Sequence, residues 1–123
     1  MLEIRFRRMV IKAGTTLLTG GNDNLDLARL KSLVEQISHL YRLGVEVLLV
    51  TSGAVATGRQ VLRSSKGSDM MDDVSLATGE GPFRQVLASI GQSRLMQMYA
   101  QEFDKHDIPV AQALLTRNDI ADR

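Results

Sequence analysis

The sequence contains no cysteine and no tryptophan, and aromatic residues make up only 4% of its 123 positions. The lack of cysteine excludes a disulfide scaffold and a thiolate metal site, and it fits a reducing cytosol. The scarcity of aromatic side chains argues against base-stacking platforms and aromatic sugar sites. An excess of one charge is also missing, because 15 basic and 14 acidic residues leave a net charge of +1. No electrostatic footprint for nucleic acid is therefore expected.

No hydrophobic run approaches the length of a transmembrane helix. The start of the chain is basic and then apolar, which superficially resembles a secretory signal. Lys12 ends that apolar stretch after three residues, which argues against a signal peptide. We expect a cytoplasmic protein that binds neither a membrane nor a nucleic acid.

The chain does contain enough hydrophobic sequence, 44%, to build one globular domain with its own core. Continuous apolar runs predict buried strands, and apolar residues at spacings of three and four predict helices. The predicted order is that of a parallel α/β protein with right-handed crossovers. The predicted segments are a strand at Met9–Ala13, a helix from about Asp26 to a C-cap at Gly44, a strand at Val45–Val50, helices at about Gly53–Leu62 and Phe83–His106, and a strand at Ile108–Leu115.

Two features interrupt this pattern. Gly91 breaks the apolar periodicity of the long helix, which allows either close packing or a kink at that point. Residues 63–82 are polar and rich in loop-forming residues, and a connection of that length is unusual in a compact domain. We predict a loop insertion there, either a lid over a site or a disordered surface segment.

Lys12 is the first candidate for chemistry, because a charge is not expected near the end of a core-facing strand. A buried ammonium is costly unless it meets an anion, so Lys12 either reaches the end of the sheet or binds a phosphate. Gly14 would let a ligand approach the backbone, and Thr15 can donate hydrogen bonds. The segment is not a Walker motif, and a purely structural lysine is an equal alternative.

Ser52-Gly53-Ala54 is the second candidate, since it joins the second strand to a helix. Small residues at such a turn leave amide groups free near the positive end of the helix, which suits a carboxylate or a phosphate. The alternative is a plain N-cap serine followed by a glycine. If the two strands are neighbours, this turn lies beside the one that follows Lys12.

Arg117 and Asp119 follow the third predicted strand and would also lie at the carboxyl edge of the sheet. A ligand role and ordinary helix capping are equal alternatives for them. His39 and His106 lie on helical segments without metal-ligand spacing, so both are expected at the surface.

Three blocks together resemble the glutamate 5-kinases, a branch of the amino acid kinase family. The blocks are Val10–Gly21, Val50–Arg59, and a stretch that runs from Arg84-Gln85 through Ile90-Gly91-Gln92-Ser93-Arg94-Leu95-Met96 to Val110–Arg117. The first two occur in looser form across the wider family, and the third is more particular to the glutamate enzymes. The resemblance covers nearly the whole chain apart from residues 63–82.

The resemblance implies a three-layer αβα sandwich with a mainly parallel sheet, of which residues 1–123 are the N-terminal, glutamate- and phosphate-binding part. It implies transfer of the γ-phosphate of ATP, with Mg²⁺, to the side-chain carboxylate of L-glutamate, the first step of proline biosynthesis. By the same resemblance Lys12 is catalytic and binds phosphate with Gly14 and Thr15, while Ser52, Gly53 and Ala54 bind glutamate. Asp119 is expected in a region that responds to proline as an inhibitor.

Members of this family continue well past the point where this sequence ends, so we expect the nucleotide-binding half to be missing and this piece to be inactive alone. No metal ligand can be nominated from the residues present. A homo-oligomer is expected, because an unpaired sheet edge and an apolar helix need covering. Two alternatives remain: an aspartate- or acetylglutamate-kinase-like member, and a non-catalytic fragment that binds an amino acid.

Overall fold

A computed structural model describes residues 3–64 and 82–121 of the chain. We number the elements of these two stretches in chain order. They are β1 (Arg8–Ala13), α1 (Thr15–Thr19), α2 (Leu27–Arg42), β2 (Glu46–Thr51), α3 (Ala54–Ser64), α4 (Pro82–Asp104) and α5 (Arg117–Ala121). Within the described stretches, no helix combines the length and the apolar character needed to cross a membrane.

The strands β1 and β2 pair in parallel, in a register that runs from Arg8 opposite Glu46 to Ala13 opposite Thr51. Burial alternates along both strands. Ile11, Val47 and Leu49 pack against the core, while Val10, Leu48 and Val50 lie on an open face. The expectation of a strand buried on both faces is therefore wrong for β1, because the described residues cover only one side of the sheet.

The helix α2 has both of the ends that the sequence predicts. The Asp26 carboxylate accepts hydrogen bonds from the N–H groups of Ala28 and Arg29, which caps the first turn. At the other end Gly44 adopts a φ of +88°, with its N–H bonded to the Tyr41 carbonyl. This left-handed closure is a Schellman-type end, and it directs the chain into β2.

The core lies between the sheet and the two long helices. Along α4, a stripe of buried residues recurs at every fourth position, through Leu87, Gly91, Leu95, Tyr99 and Phe103, and Glu102 is buried beside it. Leu95, Tyr99 and Phe103 share one core cluster with residues of α2, and the inner side of the sheet packs against that cluster. Parallel strands covered by helices confirm the α/β class. The described residues form one helical side of the expected sandwich.

The helices α3 and α4 approach each other through glycine. A Cβ built at Gly91 would overlap the carbonyl oxygen of Ala54, and one built at Gly58 would overlap the carbonyl oxygen of Leu87. Only hydrogen side chains fit between backbones at this distance. Gly91 therefore serves close packing, which was one of the two alternatives from the sequence.

The third predicted strand is absent from the described chain, since residues 108–116 carry no regular secondary structure. Ile108 is buried in the core, but residues 109–115 are exposed. An apolar run becomes a strand only when a neighbouring strand supplies hydrogen bonds. Among the described residues the sheet consists of β1 and β2, so residues 108–116 have no strand partner there. Of the loop predicted at 63–82, residues 65–81 lie outside the described residues.

Candidate functional site

Two turns meet at the carboxyl edge of the sheet. Lys12 lies opposite Val50 and Ala13 opposite Thr51, and the Ser52 N–H donates to the Ala13 carbonyl at 2.8 Å. The pairing of β1 with β2 therefore extends into the second turn. The segments that follow the two strands lie side by side, which confirms the prediction from the sequence.

Lys12 lies on the open face of the sheet and not in the core. Its side chain is exposed, and none of the ion pairs among the described residues includes it. An exposed Lys12 near the end of the sheet is in keeping with the first of the two alternatives from the sequence, and the binding of a phosphate remains a prediction. Since side chains alternate along a strand, Lys12 shares this face with Val50 at the end of the sheet. The exposed side chain is accessible to an anion.

Gly14 leaves open space beside the backbone where the chain enters α1. It is the N-cap residue with a φ of −77°, and a Cβ built on it would meet nothing within 4 Å. Its backbone angles suit any residue, so the fold does not require glycine here. The first N–H groups of α1, from Thr15 onward, have no acceptor within the helix. This edge therefore presents amide donors beside Lys12.

The Ser52–Ala54 turn exposes a hydroxyl and buries a glycine. Ser52 is exposed, and no described residue bonds to its hydroxyl. Gly53 has a φ of +106°, and its carbonyl accepts the first helical hydrogen bond from the Thr57 N–H at 2.9 Å. Gly53 is therefore the N-cap of α3, and the interpretation of Ser52 as a plain N-cap is wrong. Ser52 and the N-terminus of α3 follow β2 at the same carboxyl edge of the sheet that Lys12 approaches along β1.

A hydrogen-bonded pair behind this turn was not predicted from the sequence. The hydroxyls of Thr51 and Tyr99 lie 2.8 Å apart, and the Thr51 hydroxyl donates to the Ser52 carbonyl at 3.0 Å. Burial raises the pKa of Tyr99, and its hydrogen bond with Thr51 acts in the opposite direction. Tyr99 is only one member of an apolar stripe in the sequence, so no local signal pointed to a polar partner.

Asp119 lies in a capping box at the start of α5. Its carboxylate accepts hydrogen bonds from the N–H and the hydroxyl of Thr116, both at 2.7 Å, and its own N–H donates to the Thr116 hydroxyl. These bonds lower the pKa of Asp119. Of the two alternatives from the sequence, the structure shows capping. Arg117 is the first residue of the same helix.

The capping box predicts a pH-dependent start of α5. Since the folded pKa of Asp119 lies below its ordinary 3.8, the bonds are complete above that value and are lost as pH falls through the folded pKa. We expect the Thr116 amide resonance to titrate in NMR spectra with a midpoint below 3.8. Asp119→Asn should remove that titration, and a midpoint at or above the ordinary value would contradict the capping role.

Residues 3–64 and 82–121 contain no group of three histidine, cysteine or acidic side chains placed to hold a metal ion. No residue in this part of the chain is therefore assigned to the Mg²⁺ that the family resemblance implies.

Paired parallel strands that end in small-residue turns at one sheet edge are typical of the ligand-binding edge of an open α/β protein. The model of the amino acid kinase family matches residues 7–123. The chain belongs to the amino acid kinase family.

Within this family, the chain is similar to individual glutamate 5-kinases. The chain is 46% identical to a glutamate 5-kinase of Dehalococcoides mccartyi strain CBDB1 over 123 residues, which is 100% of this chain and 30% of the relative. It is 43% identical to one of Shewanella oneidensis over 98% of the chain and 30% of the relative. It is 45% identical to one of Chlorobaculum tepidum over 96% of the chain and 30% of the relative. The similarity to glutamate 5-kinases is confirmed, and the chain spans about 30% of the length of these relatives.

Proposed function

We propose that this chain is part of a kinase that transfers the γ-phosphate of ATP to the side-chain carboxylate of L-glutamate. The product is L-glutamate 5-phosphate, an acyl phosphate, and the step begins proline biosynthesis. The observation that carries the proposal is the parallel pairing of β1 with β2, which brings Lys12 and the Ser52 turn to one edge. The similarity to glutamate 5-kinases supports the choice of acceptor.

In this proposal the turn after β1 binds the phosphate and the turn after β2 binds the glutamate. Lys12 binds the phosphoryl group in transfer, with the backbone at Gly14 and Thr15 beside it. The open space at Gly14 supports this role, because a phosphate could approach the backbone there. Ser52, Gly53 and Ala54 bind the glutamate, through the free hydroxyl and the amide groups at the start of α3. A helix N-terminus favours a bound carboxylate.

The chemistry needs little from acids or bases. A glutamate carboxylate is already ionised at neutral pH, so no general base has to remove a proton. The protein must instead align the carboxylate with the γ-phosphate and neutralise the charge on the phosphoryl oxygens. An exposed lysine ammonium and two sets of unpaired amides supply donors of that kind.

Four further assignments belong to the same proposal. Asp119 and its surroundings take part in inhibition by proline, next to the capping role described above. ATP with Mg²⁺ is the phosphate donor, and the described residues supply phosphate contacts to it. Copies of the protein associate, since both strands of the described sheet have one unpaired edge. The location is cytoplasmic, in keeping with the absence of cysteine.

Calorimetric titration of the 123-residue chain with L-glutamate tests the division of roles. We expect Ser52→Ala to weaken binding by about tenfold or more, because the hydroxyl bonds to a charged ligand. Lys12→Ala should retain affinity within about threefold, since its partner is the phosphate and not glutamate. Ser32→Ala and Lys31→Ala, at exposed positions on α2, are the matched controls.

Equal losses in the Ser52→Ala and Lys12→Ala variants would contradict the division of roles. If the chain bound glutamate but an assay with ATP showed no phosphoryl transfer, the remaining part of the enzyme would be required for the reaction. Phosphoryl transfer by the chain alone would contradict the expectation that this part is inactive.

A further inference from the structure

Both peptide groups that flank Ser52 are held by hydrogen bonds. On one side the Ser52 N–H donates to the Ala13 carbonyl of the neighbouring strand at 2.8 Å. On the other side the Ser52 carbonyl accepts from the Thr51 hydroxyl at 3.0 Å. The Thr51 hydroxyl has one hydrogen, which is used in that bond, so the hydroxyl of Tyr99 must be the donor to Thr51 at 2.8 Å. The order is Tyr99, then Thr51, then the Ser52 carbonyl.

The direction of these hydrogen bonds also fixes the orientation of the Gly53 N–H. The Ser52–Gly53 peptide bond is planar and trans, so its C=O and N–H groups point in opposite directions. Fixing the Ser52 carbonyl towards Thr51 therefore fixes the Gly53 N–H away from Thr51. No described residue accepts a hydrogen bond from that N–H. Gly53 adopts a φ of +106°, which glycine reaches easily, and its own carbonyl is held by the Thr57 N–H at 2.9 Å and the Thr57 hydroxyl at 2.7 Å.

We propose that Tyr99 is a positioning residue for the glutamate-binding turn, which aims the Gly53 N–H at the ligand carboxylate through Thr51 and the Ser52 carbonyl. The inference rests on the proposed function, because it takes Ser52–Ala54 as the glutamate site. Tyr99 itself does not touch the ligand, since its side chain lies in the core with 2% exposure.

The surroundings of Tyr99 support a role beyond filling the core. The same helix contacts this turn at two further points: Gly91 lies against the Ala54 carbonyl, and Leu95 would be 3.9 Å from a Cβ at Gly53. The turn is thus set against α4 along two helical turns. Burial raises the pKa of Tyr99, so its hydroxyl remains a donor throughout the physiological range.

NMR of the ligand-free chain tests the geometry without any binding. In Tyr99→Phe the ring stays in the core, but the relay loses its first donor. We expect the Ser52 carbonyl ¹³C and the Gly53 amide resonances to move in Tyr99→Phe and in Thr51→Val, and to stay near their original positions in Thr51→Ser. Tyr41→Phe is the matched control, because Tyr41 is exposed on α2.

Titration with L-glutamate tests the consequence for binding. We expect Tyr99→Phe and Thr51→Val each to weaken affinity by about fivefold, with the double variant no weaker than about tenfold, because the two residues act in one relay. Thr51→Ser should bind within about twofold of the original chain, since it keeps the hydroxyl. A residue that only stabilised the fold would lower the unfolding midpoint without this pattern.

Unmoved Ser52 and Gly53 resonances in Tyr99→Phe would overturn the relay. Moved resonances with unchanged glutamate affinity would overturn the positioning role. If the resonances moved but the original chain bound no glutamate, the glutamate-binding role proposed for the Ser52–Ala54 turn of this chain would fail, and with it the positioning role, while the relay itself would stand as a structural feature.

Discussion

Gly91→Ala should strongly destabilise the chain. The new Cβ would overlap the backbone carbonyl of Ala54, and the backbone nitrogen of Gly58 lies next to it. A flexible side chain could turn away from such a clash, but a helix backbone cannot. The helices α3 and α4 would have to separate, and we expect a loss of at least about 3 kcal/mol in the free energy of unfolding.

Urea denaturation followed by circular dichroism measures this loss. Gly14→Ala is the matched control, because it makes the same chemical change where nothing lies within 4 Å. Its effect on the free energy of unfolding should stay within about 1 kcal/mol. Similar unfolding midpoints for the two variants would show that α3 and α4 do not pack this closely.

Leu95→Ala should also destabilise the chain strongly. Leu95 is fully buried in the core cluster, between the helices and the turn at Gly53. Removing its isobutyl group leaves a cavity beside that turn, and we expect a loss of about 2–5 kcal/mol in the free energy of unfolding. Because domains of this size are stable by only about 5–15 kcal/mol, either substitution removes a large share of the total.

Two control variants show whether the loss in the free energy of unfolding comes from the cavity at Leu95. Leu95→Met conserves volume and should cost less than about 1.5 kcal/mol. Val86→Ala, at an exposed position of the same helix, should change the free energy of unfolding by no more than about 0.5 kcal/mol. If Leu95→Ala behaved like Val86→Ala, Leu95 would not be part of the core as the structure places it.

The elements that were predicted correctly are those whose ends are determined by residues close by in the sequence. Asp26 and Gly44 bound α2 because a carboxylate that caps and a glycine that adopts positive φ act within a few residues of the helix. The pairing of β1 with β2 follows from a general rule on parallel crossovers, and with it the meeting of the two turns. The prediction of a strand at Ile108–Leu115 was wrong, because a strand forms only beside a partner strand, which the local sequence does not specify.

The residues missed in the site depend on distant partners. Tyr99 looks like core in the sequence, and its hydroxyl meets a threonine 48 positions earlier. The open face of the sheet beside Lys12 also depends on distant contacts, because the coverage of a sheet face depends on where the helices pack.

The family, the α/β class, the two candidate turns and the capped helix were thus readable in the amino-acid order, since each depends on local motifs and spacing. The contact of Gly91 with Ala54, the relay from Tyr99 to Ser52 and the open face at Lys12 were decided only by the tertiary structure. They depend on how helices cross and on which side of the sheet they pack. Those arrangements come from the whole core, and no single segment encodes them.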